Sequence, residues 1–154
     1  MRARQIEGET PRRSFVLVLD AGDEVVRAIS QFAEQYELRA AHFIAIGALA
    51  GARLGYWLPG TSDYEPIEVA EQVEVLSLVG NVAWSGSERR VHAHITIGTR
   101  DGTARGGHLL EGRVNPTLEV ILHELPEVLR RTRDAATGLP LLDLRSESAD
   151  LRPA

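Results

Sequence analysis

Residues 91–109 read VHAHITIGTRDGTARGGHL, and this stretch decides the class of fold. Over Val91–Gly98 apolar and polar side chains alternate with the period of two that is typical of a strand with one buried face. A second run of strand length, Thr103–Glu111, follows after a short segment that contains Asp101 and Gly102. Two strands joined by so short a segment are expected to form an antiparallel β-hairpin.

Further apolar runs of strand length lie on both sides of this hairpin. They are bounded by Gly, Pro, Asn or Asp, and several are rich in β-branched residues, which is typical of strands. In the longest run, Gly47, Gly51 and Gly55 suggest bulges or bends. Besides the hairpin, the predicted strands are Ser14–Leu19, Ala41–Leu58, Val73–Trp84, Thr117–Leu125 and Leu139–Leu144.

One segment has the periodicity of an amphipathic helix. Candidate capping residues at Asp20–Asp23 open it, and it is predicted to run to about Leu38. A short second helix is predicted over Glu127–Asp134. The fold class is therefore α+β, a mainly antiparallel sheet with one principal helix packed on it. Residues 1–144 are predicted to form one domain, and residues 145–154 a polar C-terminal tail.

The composition excludes several classes of protein. The chain has 154 residues, of which 44% are hydrophobic and 25% charged, as expected for one soluble globular domain. It contains no cysteine, which excludes disulfides and thiolate metal sites. Its N-terminal segment lacks the apolar core of a signal peptide, and no apolar run approaches the roughly 18 residues that span a bilayer. A cytoplasmic protein without a membrane partner is predicted.

Two histidines of the hairpin share a face, and the length of the turn decides whether a third joins them. His92 and His94 are two residues apart in a strand, so their side chains point the same way. A three-residue loop, Arg100–Gly102, would pair His94 with His108 and bring all three together. A two-residue loop, Asp101-Gly102, would instead turn His108 to the other face. The longer loop is preferred because the shorter one mixes His108 with apolar side chains.

Three imidazoles that leave one coordination position open are the ligand set of a catalytic-type zinc site. His92, His94 and His108 are therefore the predicted metal ligands, with zinc as the first choice and nickel, iron or copper as alternatives. A lone strand histidine is more often a surface or hydrogen-bonded core residue. His42 and His123, for which the sequence suggests no partner histidines, are interpreted in that way.

An acidic residue, Glu119, interrupts the apolar strand Thr117–Leu125. Burying an unpaired charge costs on the order of several kcal/mol, so Glu119 is expected to face solvent on an edge strand or to pair with an arginine such as Arg113. Alternatively it orients a ligating histidine or acts as a general base beside the metal. Both interpretations stay open, and Glu119 is the candidate catalytic residue.

Seven short motifs spread over nearly the whole chain carry a resemblance to a known family. They are Gly-Asp-Glu (22–24), Ile-Gly-Ala (46–48), Glu-Val-Leu-Ser-Leu-Val-Gly (74–80), His-Ala-His (92–94), Asp-Gly (101–102), Gly-Gly-His-Leu (106–109) and Pro-Thr-Leu-Glu-Val (116–120). In this order, over about residues 4–144, the chain resembles the PPC family, the plant and prokaryote conserved domain. The resemblance implies a homotrimer of α+β domains, with a metal, usually taken to be zinc, on His92, His94 and His108.

Plant members of the PPC family carry AT-hook segments and act on AT-rich DNA, so the resemblance also implies a possible DNA partner. An AT-hook has an Arg-Gly-Arg-Pro-like core, whereas Glu111–Val114 here offers Gly-Arg with an acidic neighbour and no proline. The net charge of −5 disfavours a polyanion unless arginines gather on one face. The arginines considered for such a face are Arg2, Arg4, Arg12, Arg13, Arg89, Arg90, Arg130, Arg131 and Arg133.

Three functions are therefore carried forward. The first is a metal-dependent hydrolase or lyase, or a sensor of an unknown small molecule. The second is a DNA-binding regulatory protein. The third is an interaction module in which the metal is structural and the trimer interface uses the apolar strands Ala41–Leu58 and Val73–Val82.

Overall fold

The structure, a computed structural model, describes residues 1–6, 13–61 and 63–144. The predicted tail at 145–154 lies outside the described residues. In chain order the elements are β1 (Arg2–Ile6), β2 (Ser14–Asp20), α1 (Val25–Gln35), β3 (Ala41–Leu58), β4 (Asp63–Val69), β5 (Val73–Ser85), β6 (Glu88–Gly98), β7 (Ala104–Glu124), β8 (Arg130–Arg133) and β9 (Pro140–Leu142).

All described strands join one nine-stranded sheet. Its main path runs β1-β2-β7-β3-β5-β8-β9, while β4 adds to β3, and β6 pairs with both β5 and β7. The pairs are antiparallel except for β5 with β8. Because β3, β5, β6 and β7 each pair with two others of the four, they form a closed circuit. The predicted α+β class with a mainly antiparallel sheet is confirmed.

Helix α1 covers the inner face of the sheet and closes the core. Its buried side is an apolar stripe that includes Ile29 and Phe32, both without solvent exposure. Phe32 packs edge-on against Phe15 of β2, with ring centroids 5.1 Å apart. Each such side chain contributes roughly 1.5–3 kcal/mol by burial, which is why the helix needs this sheet to be stable.

The helix is shorter than predicted and is capped by a different residue. Glu24, not a residue of Asp20–Asp23, is the N-cap, and its carboxylate accepts hydrogen bonds from the backbone N–H groups of Val26 and Arg27 at 3.2 and 2.8 Å. At the other end Glu37 has φ 51°, a left-handed conformation that stops the helix before Leu38.

The two strands predicted at Thr103–Glu111 and Thr117–Leu125 are one strand, β7. The register on β3 jumps between the pairs Gly47↔Leu118 and Leu49↔Val114, so the residues between them lie in a bulge. The Asn-Pro segment that suggested a boundary is therefore an irregularity inside a continuous strand.

The predicted short helix at Glu127–Asp134 is wrong. Arg130–Arg133 is strand β8, which pairs in parallel with Trp84 and Ser85 of β5 and antiparallel with β9. These long-range pairings override the local preference of the segment. The last predicted strand, Leu139–Leu144, is confirmed, although as β9 it is shorter than predicted. Strands β1 and β4 were not predicted.

The outer face of the sheet, on the side away from α1, is apolar although it is exposed. We use the name outer face for Ile44 and Ile46 of β3, Leu76 and Val79 of β5, and Ile121 of β7, whose exposed fractions lie between 40% and 60%. Pairing places Ile121 opposite Ile44, Ile44 opposite Val79, and Val79 opposite His94 of β6. One row of side chains therefore connects this face with a predicted metal ligand.

Candidate metal centre

The turn between β6 and β7 is the three-residue loop that the sequence predicted. The backbone N–H of Thr99 donates to the carbonyl oxygen of Thr103 at 2.9 Å, and Gly102 has φ +83°. The carboxylate of Asp101 accepts from the hydroxyl of Thr99 at 2.6 Å and from the backbone N–H of Thr103 at 3.0 Å. These hydrogen bonds lower the pKa of Asp101 to about 2, so the turn keeps its charged anchor over the whole neutral range.

This turn sets the register that brings the histidines together. Thr96 pairs with Gly106 and His94 with His108, so the two-residue loop that would have paired His94 with Leu109 is wrong. A Cβ on Gly106 would lie 2.9 Å from the carbonyl oxygen of Ile95, closer than a carbon normally approaches. A glycine at this position therefore lets β7 lie close to β6 beside His108.

The three imidazoles approach one another closely enough to share an ion. One nitrogen from each of His92, His94 and His108 lies within 4.8 Å of the others, and this group could hold a metal. Ring centroids are 5.3 Å apart for His92 and His94, 5.0 Å for His92 and His108, and 5.5 Å for His94 and His108. Zn–N bonds of about 2.0–2.1 Å would draw these nitrogens closer together around one ion.

The environment of the triad keeps two of its imidazoles neutral. Burial, together with the neighbouring His92 and His94, lowers the pKa of His108 to about 4. Burial and the adjacent charge of Arg131 also lower the pKa of His92. The Nδ1 atom of His108 is buried and has no hydrogen-bond partner among the described residues. Neutral, unsatisfied imidazole nitrogens are the form in which histidine binds a metal.

Two residues that the sequence did not single out as part of the site complete its walls. Tyr64 of β4 stacks on His108, with ring centroids 4.5 Å apart and planes inclined by 21°. Arg131 of β8 is only 9% exposed, and its Nη2 lies 3.2 Å from Nδ1 of His92. Both were missed because β4 was not predicted and β8 was predicted as a helix; Arg131 was considered only as a DNA contact.

A cavity of about 210 Å³ opens beside two of the three histidines. Its polar side is formed by His92, His108 and the guanidinium of Arg131, and its apolar side by the β8–β9 segment. The lining residues are Tyr64, Arg90, Val91, His92, His108, Arg131, Leu139, Pro140 and Leu141. The cavity is smaller than the roughly 300–1,000 Å³ of drug-sized sites, which favours a small ligand.

Residues 6–126 match the family described as the Plants and Prokaryotes Conserved (PCC) domain, which is the PPC family of the resemblance above. The chain belongs to this family.

Three solved structures of similar chains have the same fold. A PPC protein from Pyrococcus horikoshii is 31% identical with a TM-score of 0.82, and the match covers 90% of this chain and 96% of that one. A metal-containing protein from Archaeoglobus fulgidus is 36% identical with a TM-score of 0.79, covering 92% and 98%. A candidate DNA-binding protein from Bacteroides thetaiotaomicron is 26% identical with a TM-score of 0.83, covering 92% and 96%.

The chain also matches part of two longer proteins, each called bifunctional protein GlmU, from two strains of Synechococcus. The identities are 30% over 139 residues and 32% over 129 residues, covering 88% and 82% of this chain. The chain spans about a fifth of the length of these relatives, 21% of one and 20% of the other.

Glu119 lies apart from the triad within one PPC chain. It is exposed, and it pairs with Ile46 of β3 and Val18 of β2, so β7 is not an edge strand at this position. The strands β3 and β5 separate it from β6, a distance on the order of 15 Å at about 4.8 Å per strand. Arg113 donates to the carbonyl oxygen of Gly22 instead of pairing with Glu119. The catalytic role of Glu119 stays a prediction.

The remaining histidines have partners that the sequence did not reveal. His42 of β3 is opposite His123 of β7, and their ring centroids are 5.2 Å apart. Nδ1 of His123 is 2.8 Å from the hydroxyl of Ser14. This pair lies outside the groups of three or more possible metal ligands in the described residues, so it supplies a control for the triad.

Several arginines considered for a DNA-binding face are engaged elsewhere. Arg131 is buried, and Arg12 lies outside the described residues. Four others have carboxylate partners: Arg2 with Asp20, Arg13 with Glu124, Arg89 with Glu34 and Arg90 with Glu88. No helix in residues 1–6, 13–61 and 63–144 has the length and apolar character to cross a membrane.

Proposed function

We propose that this PPC domain binds one divalent transition-metal ion, zinc first, through His92, His94 and His108, and presents it to a small molecule in the adjacent cavity. The observation that carries this proposal is the set of three imidazole nitrogens within 4.8 Å of one another. A similar protein from Archaeoglobus fulgidus, described as metal-containing, adds support. A cytoplasmic location stays a prediction.

The residues present fit such an ion. Imidazoles suit zinc, copper, nickel and iron better than magnesium or calcium, which prefer oxygen ligands. The depressed pKa values of His92 and His108 keep two ligands unprotonated at neutral pH. Nδ1 of His108 is buried and has no hydrogen-bond partner among the described residues, and in its unprotonated form it would have a suitable partner in a metal.

A metal bound by three histidines acts as a Lewis acid at its open position, which supports a hydrolase or lyase as the form of activity to test first. The chain's own residues supply position and charge. Tyr64 fixes the ring plane of His108 by stacking. Arg131 holds the β8–β9 hairpin to β5, because its guanidinium donates to Asn81 Oδ1 at 2.7 Å and to the carbonyl oxygen of Pro140 at 3.0 Å.

Metal content and calorimetry test the proposal. The wild-type protein should bind one zinc ion per chain after dialysis against a chelator. His94→Ala should lower the affinity by more than the roughly 10–100-fold that follows loss of a group which only orients a ligand. His42→Ala is the matched control, because it removes an exposed strand histidine outside the triad. Absence of binding, or equal affinity in the two variants, would contradict the proposal.

The assembly we propose is a homotrimer that buries the outer face, and three copies are what the PPC resemblance implies. Five large apolar side chains exposed on one sheet face are unusual for a monomer. Ile46→Arg should dissociate the assembly in analytical ultracentrifugation. Ile67→Arg is its control, since Ile67 is 38% exposed but lies on β4. A wild-type monomer would remove this part of the proposal without affecting the metal site.

DNA binding is the second candidate, favoured by two similar structures described as candidate DNA-binding proteins, from Bacteroides thetaiotaomicron and Ralstonia eutropha. The net charge of −5 and the arginine–carboxylate pairs weigh against it. Non-specific affinity rises steeply as salt is removed. The sensitive test is therefore fluorescence anisotropy with AT-rich duplex DNA at roughly 20 mM salt, where charges are screened least. No anisotropy change would eliminate this candidate.

A further inference from the structure

Arg131 is a buried cation whose partners are all neutral. It is 9% exposed, and its hydrogen bonds go to an amide oxygen, a backbone carbonyl and the Nδ1 atom of His92. None of the ion pairs within the described residues includes it. Its Nε is also buried without a hydrogen-bond partner among those residues. A buried charge is costly unless an opposite charge compensates it.

The contact between Arg131 and His92 is possible only while His92 binds no metal. A guanidinium has donors and no acceptor, so at 3.2 Å Nδ1 of His92 must be the acceptor, and the proton of the neutral ring is on Nε2. If a metal binds Nδ1, the lone pair is used. If it binds Nε2, the proton must move to Nδ1. In both cases Arg131 loses an acceptor and gains a free N–H beside the ligands.

The same site becomes strongly positive when a metal is present. Three neutral imidazoles do not offset the two charges of the ion, and Arg131 adds a third charge close by. An anion is the compensating partner that such a site favours, and a planar carboxylate matches the fork of a guanidinium. The cavity continues past Arg131 along Leu139, Pro140 and Leu141, which offer an apolar wall.

We propose that Arg131 makes this cavity a subsite for a small organic carboxylate with a short apolar tail. One carboxylate oxygen takes the open position at the metal, the other accepts from Arg131, and the tail lies against the β8–β9 segment. The cavity volume of about 210 Å³ limits the ligand to a few carbon atoms beyond the carboxylate. This inference rests on the proposed metal site and adds to it the class of ligand.

The test uses the full-length protein loaded with Co²⁺ in place of zinc, because the visible spectrum of Co²⁺ reports a change of its ligands. Butyrate, inorganic phosphate and 1-butanol are titrated separately. Butyrate should perturb the spectrum at lower concentration than phosphate, which does not use the apolar wall, and butanol should have no effect. Phosphate binding more tightly than butyrate would overturn the carboxylate assignment.

Variants of β8 identify the residue responsible. Arg131→Met should weaken butyrate binding by about 10–100-fold, the range expected for loss of a charged hydrogen bond. Arg133→Met is the matched control, because it removes the same charge from an exposed position on the same strand, and it should bind butyrate like the wild type. Equal butyrate affinity in Arg131→Met and the control would overturn the proposal.

Two further measurements cover the cases in which Arg131→Met does not fold or metal binding is lost. If Arg131→Met does not fold, the Nε–H resonance of Arg131 in the wild-type protein should shift with butyrate, and an unchanged resonance overturns the proposal. Zinc calorimetry on each protein distinguishes loss of the metal site from loss of the carboxylate subsite. Absence of metal binding by the wild type rejects the proposed function, whereas normal metal binding without a response to butyrate rejects only the carboxylate subsite.

Discussion

Replacing His108 by phenylalanine should stabilise the metal-free protein while removing metal binding. His108 has a buried Nδ1 without a partner among the described residues, and an unsatisfied buried polar atom costs about 1–3 kcal/mol. Phenylalanine removes that atom and keeps an aromatic ring to stack on Tyr64, which lies 4.5 Å from the present ring. The free energy of unfolding at pH 7 should therefore rise by about 1–3 kcal/mol. Each kcal/mol raises Tm by roughly 2–4 °C.

The advantage of the variant should grow in mild acid. The pKa of His108 in the folded protein is about 4, below the ordinary value of 6.5, so the unfolded chain binds the proton more readily. Between pH 6.5 and 4 the wild type loses stability that it retains at higher pH. Phenylalanine does not titrate, so the difference between the two proteins should be larger at pH 5 than at pH 7.

Urea denaturation of chelator-treated protein at pH 7 and pH 5 measures both effects, with chain concentration held constant because assembly alters stability. His42→Phe is the control, since it makes the same substitution at an exposed strand histidine. A His108→Phe protein that is less stable than the wild type at pH 7 would contradict this prediction. It would show that His108 contributes to packing more than its unsatisfied nitrogen costs.

Two other predictions concern the frame around the site. Glu124→Gln should lower the free energy of unfolding by about 1–3 kcal/mol at pH 7, because Glu124 accepts two hydrogen bonds from Arg13 at 2.6 and 2.7 Å. These bonds hold the pKa of Glu124 below its usual 4.5, so the loss should shrink as the pH falls through that lowered value. A difference between the urea midpoints that does not shrink as the pH is lowered below 4.5 would contradict this. Gly80→Ala should lower the free energy of unfolding by about 1–3 kcal/mol through overpacking. The added Cβ would overlap the ring of Phe43 and lie 2.7 Å from the carbonyl oxygen of His92. An unchanged urea midpoint would contradict this prediction.

The triad was predictable because its geometry is local. The alternation of side chains along β6 fixes the face that His92 and His94 share. A loop containing Gly102 sets the register of β7 on β6 only a few residues away. Arg131 and Tyr64 were not predictable as site residues in the same way. They reach the site through strands whose positions depend on pairing with distant residues, β8 on β5 and β4 on β3, and local sequence carries little information about such pairing.

The short turn at Thr99–Thr103 also limits how the chain can change in length. Side chains of a strand alternate between faces, so one residue added to this turn and absorbed by sliding β7 against β6 would turn His108 into the core. A two-residue slide would restore the face but move His108 by about 6.6 Å from its present partner. Insertions compatible with the triad must therefore loop out of the turn and leave the pairing of His94 with His108 unaltered. A loop grafted between β6 and β7 of this chain has the same limit, because it must leave this pairing in register.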